Sequence, residues 1–199
     1  DKILASLFKT IDLGNMTVHE MASVFGASAP LAHQLGLSLN EFNAAMITMT
    51  RQGINADTSA TFLRNVIKEL IKPSTAMRDL IKSWGYETGE MAVKTEGFIN
   101  ILQRLQKEAQ SGGLERVAEI FPDIRGTLGD TSLVGGGNFE IYKDALKQLE
   151  NADKDYKDAH DKVFKAPGQP TDRFIKNLST TSAMAATILQ HGTDQMALT

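Results

Sequence analysis

Apolar residues recur every three or four positions along most of the chain, which is the spacing of one face of an α-helix. The clearest case is residues 37–74, where two such stripes follow each other. The stripes consist of Leu39, Phe42, Met46 and Met49, and then of Ala56, Ala60, Leu63, Ile67 and Leu70. Alternation of apolar and polar residues, typical of a half-buried strand, does not extend beyond three or four residues. The pattern therefore predicts an all-α fold.

Two helix starts are marked by the same kind of four-residue pattern. The sequences TVHE at residues 17–20 and SLNE at residues 38–41 are capping boxes. In a capping box a Ser or Thr hydroxyl accepts a backbone hydrogen bond, while the Glu three residues later reaches back to the cap. The helix after the second box is expected to end near Gly53, where a residue with left-handed backbone is needed.

The following helices also have clear limits. Asn55 or Asp57 can cap the next helix, Pro73 ends it, and Ser74 can cap another. The apolar residues of that third helix are Met77, Leu80, Ile81 and Trp84. Since short connections favour antiparallel neighbours, we expect residues 37–85 to form a small bundle of antiparallel helical hairpins.

The signals elsewhere in the first two thirds of the chain are less regular. The first residues are predicted to form an N-terminal helix that ends at Gly14. Pro30 predicts a kink or a break in the next helix, the one that follows the first capping box. Residues 98–109 are helical by pattern, and the Ser-Gly-Gly at residues 111–113 breaks that helix. Residues 126–138, GTLGDTSLVGGGN, form the most loop-like segment. The N-terminal apolar stripe is Leu4, Leu7, Phe8 and Ile11.

The longest predicted helix covers residues 139–164. Its apolar positions form a narrow seam of the heptad type with charged flanks. That seam consists of Tyr142, Ala145, Leu149, Ala152, Tyr156, Ala159 and Val163. Residues 166–170, APGQP, end this helix, and Thr171 begins a last helix rich in small residues.

These elements suggest two parts. Residues 1–130 are predicted to form a helical bundle domain, and residues 131–199 a long helix plus a C-terminal helix packed on the first part. A single domain over residues 1–199 is the alternative, since 199 residues suit either arrangement.

Composition narrows the function classes. The net charge of −3 and the scattered basic residues argue against a dedicated nucleic-acid binder. There is no cysteine, which excludes disulfides and thiolate chemistry. No apolar run approaches the ~20 residues that span a bilayer. The chain starts at Asp1 inside a helix-like pattern, so we interpret it as a piece of a longer protein.

Three features could carry chemistry, and each has a simpler interpretation. Asp153 and Asp155 match the first two ligand positions of an EF-hand loop, but Lys157 breaks the pattern, which favours a solvated helix face. The glycines of residues 133–138, LVGGGN, lack the strand and the Gly-Lys-Ser/Thr ending of a phosphate loop, so we interpret them as a linker. The four histidines, none of which has metal-site spacing, are His19, His33, His160 and His191.

No catalytic, cofactor-binding or metal-binding residue is therefore predicted, and no cofactor or small-molecule substrate. Met46, Met49 and Met77 stand at helical spacing, which indicates core positions rather than a cofactor site. Arg51 and Arg64 are interpreted as surface charges, with contacts to a partner protein as the alternative.

Several motifs occur in an order that resembles the core region of phage tail tape-measure proteins. Residues 32–74 are similar to the central block of that family, residues 80–86 and 114–129 to later blocks, and residues 139–163 to the long helix after them. The matching residues of the first block are Gly36, Ser38, Glu41, Ala44, Ala45, Gly53, Ile54, Thr61, Leu63, Arg64, Pro73 and Ser74, and those of the later block are Phe121, Arg125 and Gly126.

The resemblance implies a mostly helical structural segment that lies in the tail lumen of the virion and, during assembly, in the bacterial host cytoplasm. It implies a role in setting tail length, in tail assembly and in genome ejection. The implied partners are the tail tube, initiator and tail chaperone proteins, with self-association as a further possibility. Neither a specific nucleic acid nor a membrane segment is implied for this piece.

Two other functions stay open at this point. One is a helical murein-degrading domain of a tail protein, and the other is a coiled-coil adaptor unrelated to phage. The absence of catalytic signatures in the sequence favours the structural role over the first, and the ordered motifs favour it over the second.

The heptad seam gives a first testable prediction. Leu149→Asp places a charge at a predicted core position, and even a neutral truncation of a core leucine costs ~2–5 kcal/mol. Because a domain of this size has about 5–15 kcal/mol of stability, we expect Leu149→Asp to unfold or dissociate it in a thermal melt. An unchanged melting temperature would mean that the seam is exposed.

Overall fold

The computed structural model describes residues 2–155 and 157–158. Regular structure in this part of the chain is entirely helical, which confirms the all-α prediction. The helices with assigned limits are α1 (Lys2–Leu13), α2 (Val18–Leu35), α3 (Leu39–Thr50), α4 (Ala56–Ile71), α5 (Thr75–Ser83), α6 (Gly89–Glu96), α7 (Phe98–Ile120), α8 (Ile124–Val134) and α9 (Asn138–Glu150). The predicted C-terminal helix from Thr171 lies outside the described residues.

The predicted helix starts are confirmed. Both capping boxes are formed, with the Thr17 side chain accepting from the amide of Glu20, and Ser38 doing the same for Glu41. Asn55 caps α4, where its Oδ1 accepts from the amide of Thr58 at 2.8 Å. Ser74 caps α5. These starts are local in sequence, because each cap bonds an amide three residues later.

The predicted stops are confirmed as well. Gly53 has φ +83°, which is the left-handed backbone expected after α3. Helix α4 ends at Ile71, two residues before Pro73. Inside α7, Gly113 has φ +63° and ψ −159°, so the Ser-Gly-Gly sequence kinks the helix where the break was predicted.

Helix α3 is the central element of the fold. Residues 42–50 are all buried, and α3 packs against α1, α4, α8 and α9. A polar group buried in such a helix is costly unless it is hydrogen-bonded. Thr48 Oγ1 therefore donates to the carbonyl of Ala44 at 2.7 Å, and Thr50 Oγ1 to that of Met46 at 2.9 Å.

Most of the predicted core positions are buried. The whole α4 stripe is buried, as are Met46, Met49 and Met77. In the seam of α9, Tyr142, Ala145, Leu149 and Ala152 are buried, while the later seam positions lie outside the described side chains.

The long predicted helix is interrupted. Helix α9 ends at Glu150, and Asn151 has φ −92° and ψ −4° before helical structure resumes at residues 152–155 and 157–158. The Nδ2 of Asn151 donates to the carbonyl of Lys147 at 2.9 Å. Asparagine competes for helix backbone groups in this way, which favours a local end to the helix.

Of the kink or break predicted at Pro30, the break is wrong, because α2 continues through this residue, and the kink stays a prediction. Pro30 removes a hydrogen bond to the carbonyl of Gly26. Both residues lie on the exposed side of α2, where water can bond the freed carbonyl.

The loop predicted over residues 126–138 is also wrong for most of its length, since α8 covers Ile124–Val134. The glycines of α8 serve close packing rather than turns. A Cβ at Gly129 would lie 2.8 Å from both the carbonyl oxygen of Phe62 and the Cγ2 of Val66. Only residues 135–137 connect α8 to α9.

One helix was missed by the sequence patterns. Helix α6 begins after Thr88, whose side chain accepts from the amide of Met91 at 3.1 Å. The features of the sequence that mark the start of α6 are the capping residue Thr88 and the acidic Glu90 in the first turn. With eight residues, α6 is too short to show a full apolar stripe.

The division between residues 1–130 and 131–199 stays a prediction, because most residues after 155 are not described. Within the described part, Phe139, Tyr142 and Leu149 belong to the same hydrophobic core as the residues of α3 and α4.

Gly129 and Gly26 both lie inside helices, but we predict opposite effects when each is replaced by alanine. Gly129→Ala should destabilise the fold by about 1–3 kcal/mol, because its methyl group meets the backbone of α4. Gly26→Ala is the matched control in an exposed part of α2, where a Cβ has nothing within 4 Å, and it should be neutral or stabilising by up to about 1 kcal/mol. Urea unfolding measures both, and equal effects would contradict the close contact of α8 with α4.

Candidate functional site

Those residues considered for metal chemistry that the structure describes do not assemble into a site. His19 and His33 are exposed on α2, and His160 and His191 lie outside the described residues. Asp155 pairs with Lys9 at 3.2 Å, and Asp153 with Lys157 at 2.7 Å. No group of three metal-ligating side chains is present within residues 2–155 and 157–158.

The glycine-rich sequence after α8 forms a structural turn. Gly136 has φ +55°, and the side chain of Asn138 closes the turn by donating to the carbonyl of Thr131 at 3.2 Å and to Oε1 of Gln52 at 3.1 Å. Gln52 in turn donates to the carbonyl of Ser132 at 2.7 Å. The turn therefore joins the end of α3 to α8 and α9.

Glu41 is a polar residue that links two helices far apart in the sequence. Its Oε2 completes the capping box by accepting from the Ser38 amide at 2.9 Å. Its Oε1 accepts from the amide of Phe98 at 2.7 Å. Since Gly97 before Phe98 has no side chain to cap α7, the carboxylate of Glu41 caps α3 and α7 together. A negative group is favoured at both of these helix N-termini.

An aromatic cluster near Glu41, formed by Phe98, Phe139 and Tyr142, connects α7 to α9. Tyr142 is fully buried, with its ring edge-on to Phe98 and stacked on Phe139, each at 6.3 Å between centroids. Its hydroxyl has no hydrogen-bond partner in the described part of the chain. Burial, followed by the nearby charge of Glu41, raises the pKa of Tyr142 well above its ordinary value, so the phenol stays neutral.

A second polar cluster lies at the surface, where the segment from α5 to α6 meets α7. Arg104 forms a bidentate pair with Glu96 at 2.9 and 2.7 Å, and Tyr86 donates to Glu96 at 2.8 Å. The guanidinium carbon lies 5.6 Å from the ring centre of Trp84. Hydrogen bonds from Arg104, and then from Tyr86, lower the pKa of Glu96. This cluster fixes the α5–α6 segment against α7 by interactions typical of structural Arg–carboxylate pairs.

The groove beside this cluster, about 330 Å³ in volume, is lined mainly by charged and amide side chains. A second groove, about 570 Å³, lies between α1, the start of α3 and the end of α9. Both are open, and neither has the predominantly apolar lining that small-molecule sites usually show.

Four large apolar side chains are exposed in the described part of the chain. They are Met91, Leu114, Ile124 and Leu128. Ile124 and Leu128 are four residues apart and therefore lie on the same face of α8, with 67% and 44% of their surfaces exposed. This face is the most apolar exposed part of α8 and is a candidate for protein contacts.

The structure also locates Arg51 and Arg64, the two arginines interpreted as surface charges or partner contacts. Arg51 is exposed after α3, and the partly buried Arg64 donates to Thr61 Oγ1 at 2.9 Å.

The hydrogen bond from the Phe98 amide to Glu41 could not be predicted from the sequence, because the two residues are 57 positions apart and no local pattern marks the bond. The all-round burial of α3 did have a signal, since residues 42–50 contain no charged side chain.

These features define an all-α structural domain, in which the described polar clusters cap helices and join them to one another. No helix in the described residues is both long and apolar enough to cross a bilayer.

The comparisons with known proteins agree with the resemblance found in the sequence. The family model described as phage-related minor tail protein matches residues 1–165, and the chain therefore belongs to this family of phage tail proteins. A tape measure protein of Pneumococcus phage Dp-1 is 36% identical over 63 residues, which cover 32% of this chain and 6% of that relative. No solved structure matches the chain.

The double cap of Glu41 gives a prediction with an internal control. Glu20 occupies the same position in the first capping box, where its Oε2 accepts from the Thr17 amide at 2.7 Å. Glu41→Ala should lower the free energy of unfolding by about 1–3 kcal/mol through the loss of the Phe98 bond, in addition to the loss of its own capping box. Glu20→Ala loses a capping box alone and should cost clearly less. Equal losses in urea unfolding would show that the bond to Phe98 adds nothing.

Proposed function

We propose that this domain is a segment of a tape-measure protein, which helps to set the length of a phage tail and takes part in tail assembly and genome ejection. The family match over residues 1–165 carries this proposal, and the relative named tape measure protein supports it. The motif order supports it too, because Ser38 and Glu41, which belong to that order, form the cap that joins α3 to α7.

The proposed location is the tail lumen of the virion, preceded by the host cytoplasm during assembly. The proposed partners are the tail tube, initiator and tail chaperone proteins, with self-association as a further contact. The apolar face of α8 at Ile124 and Leu128 offers one surface for such contacts. A coiled-coil adaptor unrelated to phage is set aside, because the chain belongs to a phage tail family.

The length-setting role is tested in the full-length gene. An in-frame duplication of the segment that encodes residues 1–165 should give tails that are measurably longer by electron microscopy, since a ruler transmits its own length to the tail. A duplication that yields complete tails of unchanged length would contradict the role as a ruler.

A murein-degrading activity is the alternative from another class. We propose that the domain has no such activity, and the purified chain should release no soluble fragments from peptidoglycan. Reproducible release that is abolished by replacing a single carboxylate with its amide would overturn this part of the proposal.

A further inference from the structure

Asp130 is a buried carboxyl group that the structural role described above does not use. It lies in α8 with 1% of its surface exposed. Its Oδ1 is buried without a hydrogen-bond partner, and among the described residues the Asp130 side chain takes part in no ion pair. Buried carboxylates are normally paired, because an isolated charge in an apolar interior is very costly.

The position of Asp130 makes solvation difficult without moving α8. The preceding residue, Gly129, places the backbone of α8 directly against Phe62 and Val66 of α4. Helix α8 also packs on α3, α7 and α9. Water has little access to the carboxyl group while α8 stays packed on these helices.

Among the described residues, no charged group compensates Asp130. Ionisable side chains occur on every helix packed against α8, among them Glu41 on α3, Arg64 on α4, Lys107 on α7, and Glu140 and Lys143 on α9. Asp123 and Arg125 lie near the start of α8 itself. None of them contributes to the shift in the pKa of Asp130, whose sole cause is burial.

We propose that Asp130 makes the packing of α8 in the helical core pH-sensitive. With its proton bound, the carboxyl group is neutral and α8 stays packed on its neighbours. When the proton leaves, the unpaired carboxylate favours water, and α8 is released. The inference concerns the fold of this domain and does not depend on the proposed function.

The direction of the pH dependence follows from the pKa values. Burial raises the pKa of Asp130 from 3.8 to about 7, so the folded state holds the proton more tightly than the unfolded state. The contribution of Asp130 to stability is therefore highest below about pH 4, falls as the pH rises between the two pKa values, and levels off above about pH 7. A difference of about three pKa units changes the folding equilibrium by a factor on the order of 10³.

The test is urea unfolding of the complete 199-residue chain between pH 4 and pH 9. The wild type should lose stability across this range, and Asp130→Asn, which mimics the neutral carboxyl, should lose most of that dependence. Asp123→Asn is the matched control on the same helix, since asparagine caps as well as aspartate, and it should keep the wild-type dependence. All other side chains are identical in the three proteins, so their contribution cancels in the comparison.

Two further readouts keep the proposal falsifiable if Asp130→Asn fails to fold. Hydrogen exchange of the α8 amides, corrected for intrinsic rates, should show faster opening of the wild type at pH 8.5 than at pH 5. A carboxyl-carbon NMR titration of Asp130 in the wild type should have its midpoint near pH 7. A midpoint near 4, or a pH dependence equal in Asp130→Asn and the wild type, would overturn the proposal.

Discussion

The burial of α3 on all sides is the constraint on which the rest of the structure depends. Residues 42–50 lie in the interior, so the neighbouring helices pack against this one, and a polar group on it is costly unless it is hydrogen-bonded. The hydroxyls of Thr48 and Thr50 find partners within α3 itself. Asn43 finds one across the fold, because its Nδ2 donates to Ser6 Oγ of α1 at 3.1 Å, while its Oδ1 has no partner among the described residues.

Side chains at the two ends of α3 form hydrogen bonds that hold other helices against it. At the N-terminus Glu41 caps both α3 and α7, and just after the C-terminus Gln52 bonds α8 and the start of α9. Both links connect residues more than 50 positions apart in the chain. A structural protein of a phage tail can use such links to keep a helical segment in one shape, and the family match is consistent with that use.

Much of the fold could be predicted because its signals are local. The caps at Thr17, Ser38, Asn55 and Ser74 each depend on an amide three residues away, and the left-handed turn at Gly53 depends on one backbone angle. The loop wrongly predicted over residues 126–138 shows that glycine occurs both in turns and at close helix contacts. Glycine favours turns by composition, yet Gly129 lies within a helix, because a side chain there would meet α4.

The amino-acid sequence by itself determined the helical class, most helix starts and stops, and the relationship to phage tail proteins, since all of these reside in short-range patterns and their order. The tertiary structure decided that α3 is buried on every side, that α8 is a helix, that Glu41 caps a second helix and that Asp130 is enclosed without a partner. The physical reason is that each of these depends on which distant surfaces meet. Periodicity states that a face is apolar, but it does not state which helix covers that face or how closely the two backbones approach.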